Sequence, residues 1–169
     1  YTLAFTVELK SGETNSSWGS YLHASTGTGV ANPPFFEMFG YIPSSFKGNK
    51  DLKPEHSKSW DVGISIRSDD SRWFTDVTYF KADLKKEIFT AYDPETFVAS
   101  ALNSDDDSYR SGIEISLRAS FADTTDITAG YTYLDSKDSN SRIEVRRPQN
   151  SGFVRAISMF HENKGTSVL

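Results

Sequence analysis

Apolar and polar residues alternate along most of this chain. In residues 1 to 10, Leu3, Phe5, Val7 and Leu9 fall on one side, and Thr2, Ala4, Thr6, Glu8 and Lys10 on the other. A period of two is the mark of a strand with one apolar face. From residue 57 to 67 it returns, with Trp60, Val62, Ile64 and Ile66 set against Ser59, Asp61, Gly63 and Ser65. The cleanest run is 109–121, where Ile113, Ile115, Leu117, Ala119 and Phe121 alternate with Gly112, Glu114, Ser116, Arg118 and Ser120. In 126–135, Ile127, Ala129, Tyr131 and Tyr133 share a side. The run 72–84 is mixed. Trp73, Thr75, Val77 and Tyr79 oppose Phe74, Phe80 and Leu84, so large rings must lie on its polar side. A weaker run at 18–25 makes a hairpin with the first strand, 152–160 adds another, and one more starts at Thr166.

The connections alternate too. They are short at 11–17, 68–71, 122–125 and 161–165, long at 26–56 and 85–108, and intermediate at 138–151. The expected fold is therefore all-β: an antiparallel up-and-down meander of about seven or eight strands, trimmed at one end and elaborated at the other. A soluble β-sandwich also has alternating strands, but nothing in it makes its loops alternate in length. Inside the first long connection, residues 34–39 predict one helical turn, with Pro34 at its start and Gly40 just past its end. Phe35, Phe36 and Phe39 predict a local apolar cluster there. Inside the second, 87–92 and 96–101 are expected to extend the neighbouring strands.

Composition narrows the class. Twelve Phe, eight Tyr and three Trp sit in a chain only 37% hydrophobic, a mixture that suits alternating strands. No stretch approaches the ~18 apolar residues of a helical membrane span, whereas a barrel strand needs only about ten alternating ones. Cysteine is absent, which removes disulfides, thiolate metal sites and cysteine nucleophiles. A net charge of −5, with Lys85-Lys86 and Arg146-Arg147 as the basic doublets, argues against a nucleic-acid partner. Tyr1 opens on alternation and not on a basic head with an apolar block, so the chain is expected either to have been trimmed or to begin inside a larger protein.

Candidate chemistry is sparse. His23, His56 and His161 have no ligand spacing among them, so no zinc site is expected. Asp105, Asp106 and Asp107 with Asn103 offer oxygens for Ca²⁺, yet lack the glycine turn and distal Glu of an EF-hand loop. A solvated acidic loop is the expectation. Glu114 and Arg118 are each expected to pair across the sheet. No catalytic constellation, metal or cofactor is expected, and an enzyme is not.

The stretch Gly48 to Gly63, GNKDLKPEHSKSWDVG, closely resembles a signature of TonB-dependent outer-membrane receptors. GTGVANPPFFEMFG before it resembles another segment of that family, although Val30, Ala31 and Asn32 depart from the pattern. Ser111-Gly112-Ile113-Glu114, GYTYLDSKD and Arg146-Arg147-Pro148 match further family stretches in the family's order. The resemblance implies that residues 1–169 are an internal part of the later half of a 22-stranded barrel in a Gram-negative outer membrane. It implies short periplasmic turns, long extracellular loops, an N-terminal plug, and TonB-energised import of a scarce small nutrient, a ferric siderophore foremost. Plug, TonB box and terminal strand are not in the chain. On this reading Phe35, Phe36, Tyr41, Tyr92, Phe97, Arg146 and Arg147 contact ligand, and Asp61, Glu114 and Arg118 face the lumen. Trp60, Val62, Ile64, Ile113, Ile115, Leu117, Phe121, Ile127, Tyr131 and Tyr133 face lipid. The alternative is a secreted β-sandwich, an adhesin or carbohydrate-binding module, which would bury Leu117 and Tyr131 in a core.

Overall fold

The computed structural model describes residues 1–9, 17–40, 42, 44–121, 124–137, 147–160 and 165–168. The strands are β1 (Thr2–Leu9), β2 (Trp18–Ala31), β3 (Phe46–Lys47), β4 (Glu55–Ser68), β5 (Trp73–Lys85), β6 (Ile88–Tyr92), β7 (Ala99–Asn103), β8 (Ser108–Phe121), β9 (Thr125–Lys137), β10 (Asn150–Phe160) and β11 (Gly165–Val168), with one helix, α1 (Phe35–Phe39). Eight of them form an antiparallel meander in the order β1-β2-β4-β5-β8-β9-β10-β11. The other three form a small separate sheet, β3-β7-β6.

Register sets the faces. Val7, Leu22, Ile64, Val77, Ile115 and Tyr131 are successive cross-strand partners, one apolar row across six strands. Phe5, Ala24, Val62, Tyr79, Ile113 and Tyr133 make the next. Directly opposed residues point to the same side of a sheet, so the apolar residues expected to share a face do share it, Leu117 and Tyr131 among them. Rings gather towards both ends of this face. Trp60 and Tyr79 lie 5.5 Å apart near one end, and Trp73 meets Phe121 edge-on at 5.1 Å at the other.

Asp61, Glu114 and Arg118 occupy the opposite, polar face, in register with Phe80, Thr78 and Phe74 of β5. The expected ion pairs of Glu114 and Arg118 do not form among the described residues, because their partners on β5 and β9 are Thr78 and Thr132, and Phe74 and Thr128. The rings on this face have a common solution. His23, Phe80 and Phe153 each stand directly opposite a glycine, respectively Gly63, Gly112 and Gly130, and each lies over it. Lying across Gly63, His23 reaches a second strand and bonds Asp76 at 2.8 Å. A methyl group at Gly63 would sit 2.6 Å from both His23 Nε2 and Thr78 Oγ1. At Gly112 it would meet the Tyr133 carbonyl as well as Phe80 Cζ, at 2.8 Å. A side chain can swing away and a backbone cannot, so Gly112→Ala is expected to cost more than Gly63→Ala. Both should fall within the ~1–3 kcal/mol of an overpacked site, read by unfolding of the intact protein in bilayers.

Two expectations need correction. The strand expected at 18–25 runs on to Ala31, where Ala31 pairs with Glu55, so the first long connection is shorter than the glycines at 27 and 29 suggested. The segments 87–92 and 96–101 do not extend β5 and β8. Lys86 takes a left-handed conformation (φ 57°), and the chain turns out of the large sheet there. The helical turn at 35–39 forms as expected, ended by Gly40 at φ 41°. The described residues at the short connections lie together at one end: Asp69 N–H bonds Ser17 O, Ser120 N–H bonds Arg72 O, and Met159 N–H bonds Thr124 O.

Candidate functional site

The two long connections meet at the other end and fold into a cap. The stretch 48–55 stitches it. Asn49 donates through Nδ2 to the Ala101 carbonyl at 3.0 Å, and its own N–H bonds Glu37 O at 2.9 Å. Leu52 is buried beneath. Asn103 answers from β7: its Oδ1 accepts Lys53 N–H at 2.8 Å, and its Nδ2 donates to Lys53 O at 2.9 Å and to Lys86 O at 2.7 Å. The Glu55 carboxylate accepts Ile88 N–H, while Glu87 accepts from the Ser108 hydroxyl and the Arg110 guanidinium. Side-chain amides and carboxylates thus satisfy backbone groups that so small a sheet leaves open. Asn103→Ala strips three of those groups at once. With about 0.5–1.5 kcal/mol for each hydrogen bond lost, amide exchange across 87–103 should speed up tenfold or more while the large sheet stays protected.

Glu37 is the misfit. Burial, and then the nearby Glu55 charge, raise its carboxyl above the ordinary range, and Oε2 has no partner among the described residues. A raised acid binds its proton more tightly in the folded state, so the cap loses stability as pH climbs from the unfolded value of 4.5 through the folded one, and regains it on acidification.

Between the 46–51 segment and the β6–β7 hairpin lies an open cleft of ≈ 1200 Å³, lined by Phe39, Phe46, Lys47, Lys50, Tyr92 and Leu102 among others. Lys50 Nζ stands 5.6 Å from the Phe39 ring centre. Neither Lys47 nor Lys50 has a carboxylate partner among the described residues. Lys85 and Lys86, by contrast, are taken up by Asp107 and Asp105 at 3.2 and 3.5 Å. Asp93 is occupied by the turn it closes, accepting Glu95 and Thr96 N–H, which holds its carboxyl below the usual range. Ammonium groups and ring faces around an open cavity make a binding surface.

Of the expected ligand contacts, Tyr92 lines this cleft. Phe36 packs on Phe46, ring centres 4.5 Å apart, and Phe35 packs on Phe39 at the same distance, as the expected local cluster. Phe97 stands away from the cleft at the hairpin tip, 78% exposed and with φ 56°. Arg147 is exposed just before β10 and does not line it. Tyr41 and Arg146 lie outside the described residues. Asp105 and Asp107 pair with Lys86 and Lys85, and Asn103 bonds backbone groups. Lys47, Lys50, Phe39 and Phe46 were missed. Phe39 was visible only as a member of the local apolar cluster, and Phe46, Lys47 and Lys50 only by lying beside or within the 48–55 stretch that binds the cap together.

Residues 15–157 match the family described as TonB dependent receptor-like, β-barrel. The chain belongs to the TonB-dependent receptor family. It is thus part of a Gram-negative outer-membrane β-barrel receptor and not of an enzyme, and the secreted sandwich falls away. Solved structures share the receptor fold. The copper transporter OprC superposes with a TM-score of 0.70 at 17% identity, over 93% of this chain and 23% of its own. The Serratia marcescens hemophore receptor HasR, in complex with its hemophore HasA and heme, gives 0.69 at 18%, over 99% and 31%. The pyoverdine receptor FpvA of Pseudomonas aeruginosa PAO1 gives 0.62 at 19%, over 86% and 20%. The chain therefore spans between 20 and 31% of the length of these structures. No curated protein matches it.

Proposed function

We propose that residues 1–169 are a partial barrel of a receptor that imports a scarce nutrient, energised through TonB and gated by a plug domain supplied elsewhere in the protein. The face bearing Trp60, Val62, Ile64, Ile113, Ile115, Leu117, Phe121, Ile127, Tyr131 and Tyr133 lies against lipid, and Asp61, Glu114 and Arg118 face the lumen. The short turns are periplasmic. The cap stands outside the cell, where its cleft takes part in capturing ligand, and we assign a ferric siderophore as that ligand. One observation carries this reading: the large sheet presents a continuous apolar face, ring-bordered towards both ends and covered by none of the described residues, with an elaborated cap at one end. From Ile113 to Phe121 it rises roughly 20 Å at ~3.4 Å per residue and ~45° tilt, close to the apolar band of an outer-membrane barrel. The siderophore is favoured because pyoverdine and siderophore receptors recur among the structures of this fold.

The test uses the intact receptor on whole cells. A cysteine at Asp106 should label from outside and one at Asp70 should not. In cells with this receptor as the sole route, labelled ferric siderophore should enter, and Lys47→Ala combined with Tyr92→Ala should cut uptake about tenfold without lowering receptor levels. Labelling at Asp70 alone reverses the topology. Entry of copper or heme in place of the siderophore replaces the ligand and leaves the topology standing.

A further inference from the structure

The small sheet of the cap ends in an open edge. Among the described residues β6 pairs with β7 alone. The bonds Ser104 N–H to Glu87 O and Asp93 N–H to Val98 O bracket that pairing and fix its parity. Phe89 and Ala91 therefore exchange their main-chain bonds with β7, and Ile88, Thr90 and Tyr92 aim theirs away from it. The Glu55 carboxylate takes the first of these outward groups, the N–H of Ile88. Thr90 and Tyr92 keep an N–H and a C=O each, without a partner among the described residues on that side.

Edge strands are normally protected by a charge, a proline, a bulge or a covering loop. From Ile88 to Tyr92 the sequence reads IFTAY, with none of the first three, although charges crowd the chain on either side. Tyr92 is 70% exposed, and Phe89 and Leu102 stand side by side, half-exposed, on one face. At the strand's far end Asp93 and Glu95 are exposed carboxylates.

We propose that the free edge of β6 is a docking site for an extended peptide segment of a protein partner, which adds to the small sheet as its next strand. Its main chain bonds Thr90 and Tyr92, an apolar side chain rests beside Phe89 and Leu102, and a basic residue next to the paired segment meets Asp93 and Glu95. Affinity comes from backbone bonds and selectivity from alternate side chains. The Glu55 carboxylate marks the limit of the site, because Ile88 N–H is already taken. The proposal is independent of which nutrient the receptor imports.

The experiment uses the full receptor in detergent and a dye-labelled synthetic peptide of alternating Val and Thr with Lys at both ends, followed by fluorescence anisotropy. Two further peptides carry N-methyl groups on alternate sets of amides. The expected result is saturable binding that one methylated set weakens at least tenfold and the other leaves intact, since only every second amide faces β6. Thr90→Pro removes the outward N–H while sparing the bonds to β7, and should weaken the parent peptide as much; Thr90→Val should bind normally. No saturable binding, equal binding by both methylated peptides, or normal binding by Thr90→Pro overturns the proposal. So does disulfide capture of Thr90→Cys by a second copy of the receptor at concentrations where the peptide fails to compete.

Discussion

Stripped of detergent, the isolated 169-residue chain is expected to aggregate instead of sedimenting as a compact monomer. The reason is how little of it is buried. Among the described residues the buried hydrophobic side chains are Leu52, Ala99, Ala101 and Ala119, and no large side chain is fully buried. Three of those four lie in the cap, which leaves the large sheet almost without a core. Leu3, Phe5, Trp60, Val62, Ile113, Leu117, Tyr131 and Val154 are all exposed. At about 1.5–3 kcal/mol for burying each large side chain, that free energy is realised in lipid, in detergent or against other copies, and not in water. Among the described residues the outer strands β1 and β11 each pair on one side only, which adds two sticky edges. A stable, compact monomer with cooperative unfolding in plain buffer would contradict the assignment of the apolar face to lipid.

Leu117→Arg in the intact receptor should destabilise the barrel by roughly 2–4 kcal/mol, the cost of a cation near the midplane of the bilayer. Ser116→Arg, one residue away, should change stability by no more than about 0.5 kcal/mol, as at ordinary surface positions. The two side chains are chain neighbours on opposite faces: Leu117 lies in register with Thr75 and Ala129, Ser116 with Asp76 and Gly130. Folding equilibria in lipid vesicles, read by the heat-dependent mobility of the folded barrel, separate them. Equal costs at both positions would mean that both faces meet the same environment, and the lumen would have to be abandoned.

The faces were legible from sequence because a period of two leaves no freedom once strands pair directly. β8 and β9 are the clearest cases: their apolar sets were visible, and the register simply placed them side by side. β2 was underestimated beyond Ser25, since Thr26-Gly27-Thr28-Gly29 has no apolar alternation, and its extension rests on the partner strand, where Gly29 meets Ser57 and Ala31 meets Glu55. The cap was less legible still. That β6 and β7 leave the large sheet depends on the left-handed Lys86 and on Asn103 bonding Lys53, fifty positions earlier, information no local window holds. The motif around Asn49 was recognised as a pattern, whereas its task, tying two distant connections together, is visible only in three dimensions. Tyr92 was named as an aromatic of a long loop and lines the cleft. Phe35 and Phe97 were named on the same ground and do not line it, because aromatic character does not encode direction.

The glycines under the rings of the polar face have a consequence for how this sequence can drift. Gly63 with His23, Gly112 with Phe80 and Gly130 with Phe153 each form a two-member unit, in which neither position is free to vary by itself. At Gly63 and Gly130 a gained side chain crowds the opposing ring until that ring shrinks or swings away, at Gly112 the Tyr133 carbonyl stands in the way as well, and a ring lost first leaves a bare notch in the wall. Mutational histories through the Gly63 and Gly130 pairs are therefore ordered, the ring yielding before the glycine, and related barrels should exchange the members of each of these pairs together.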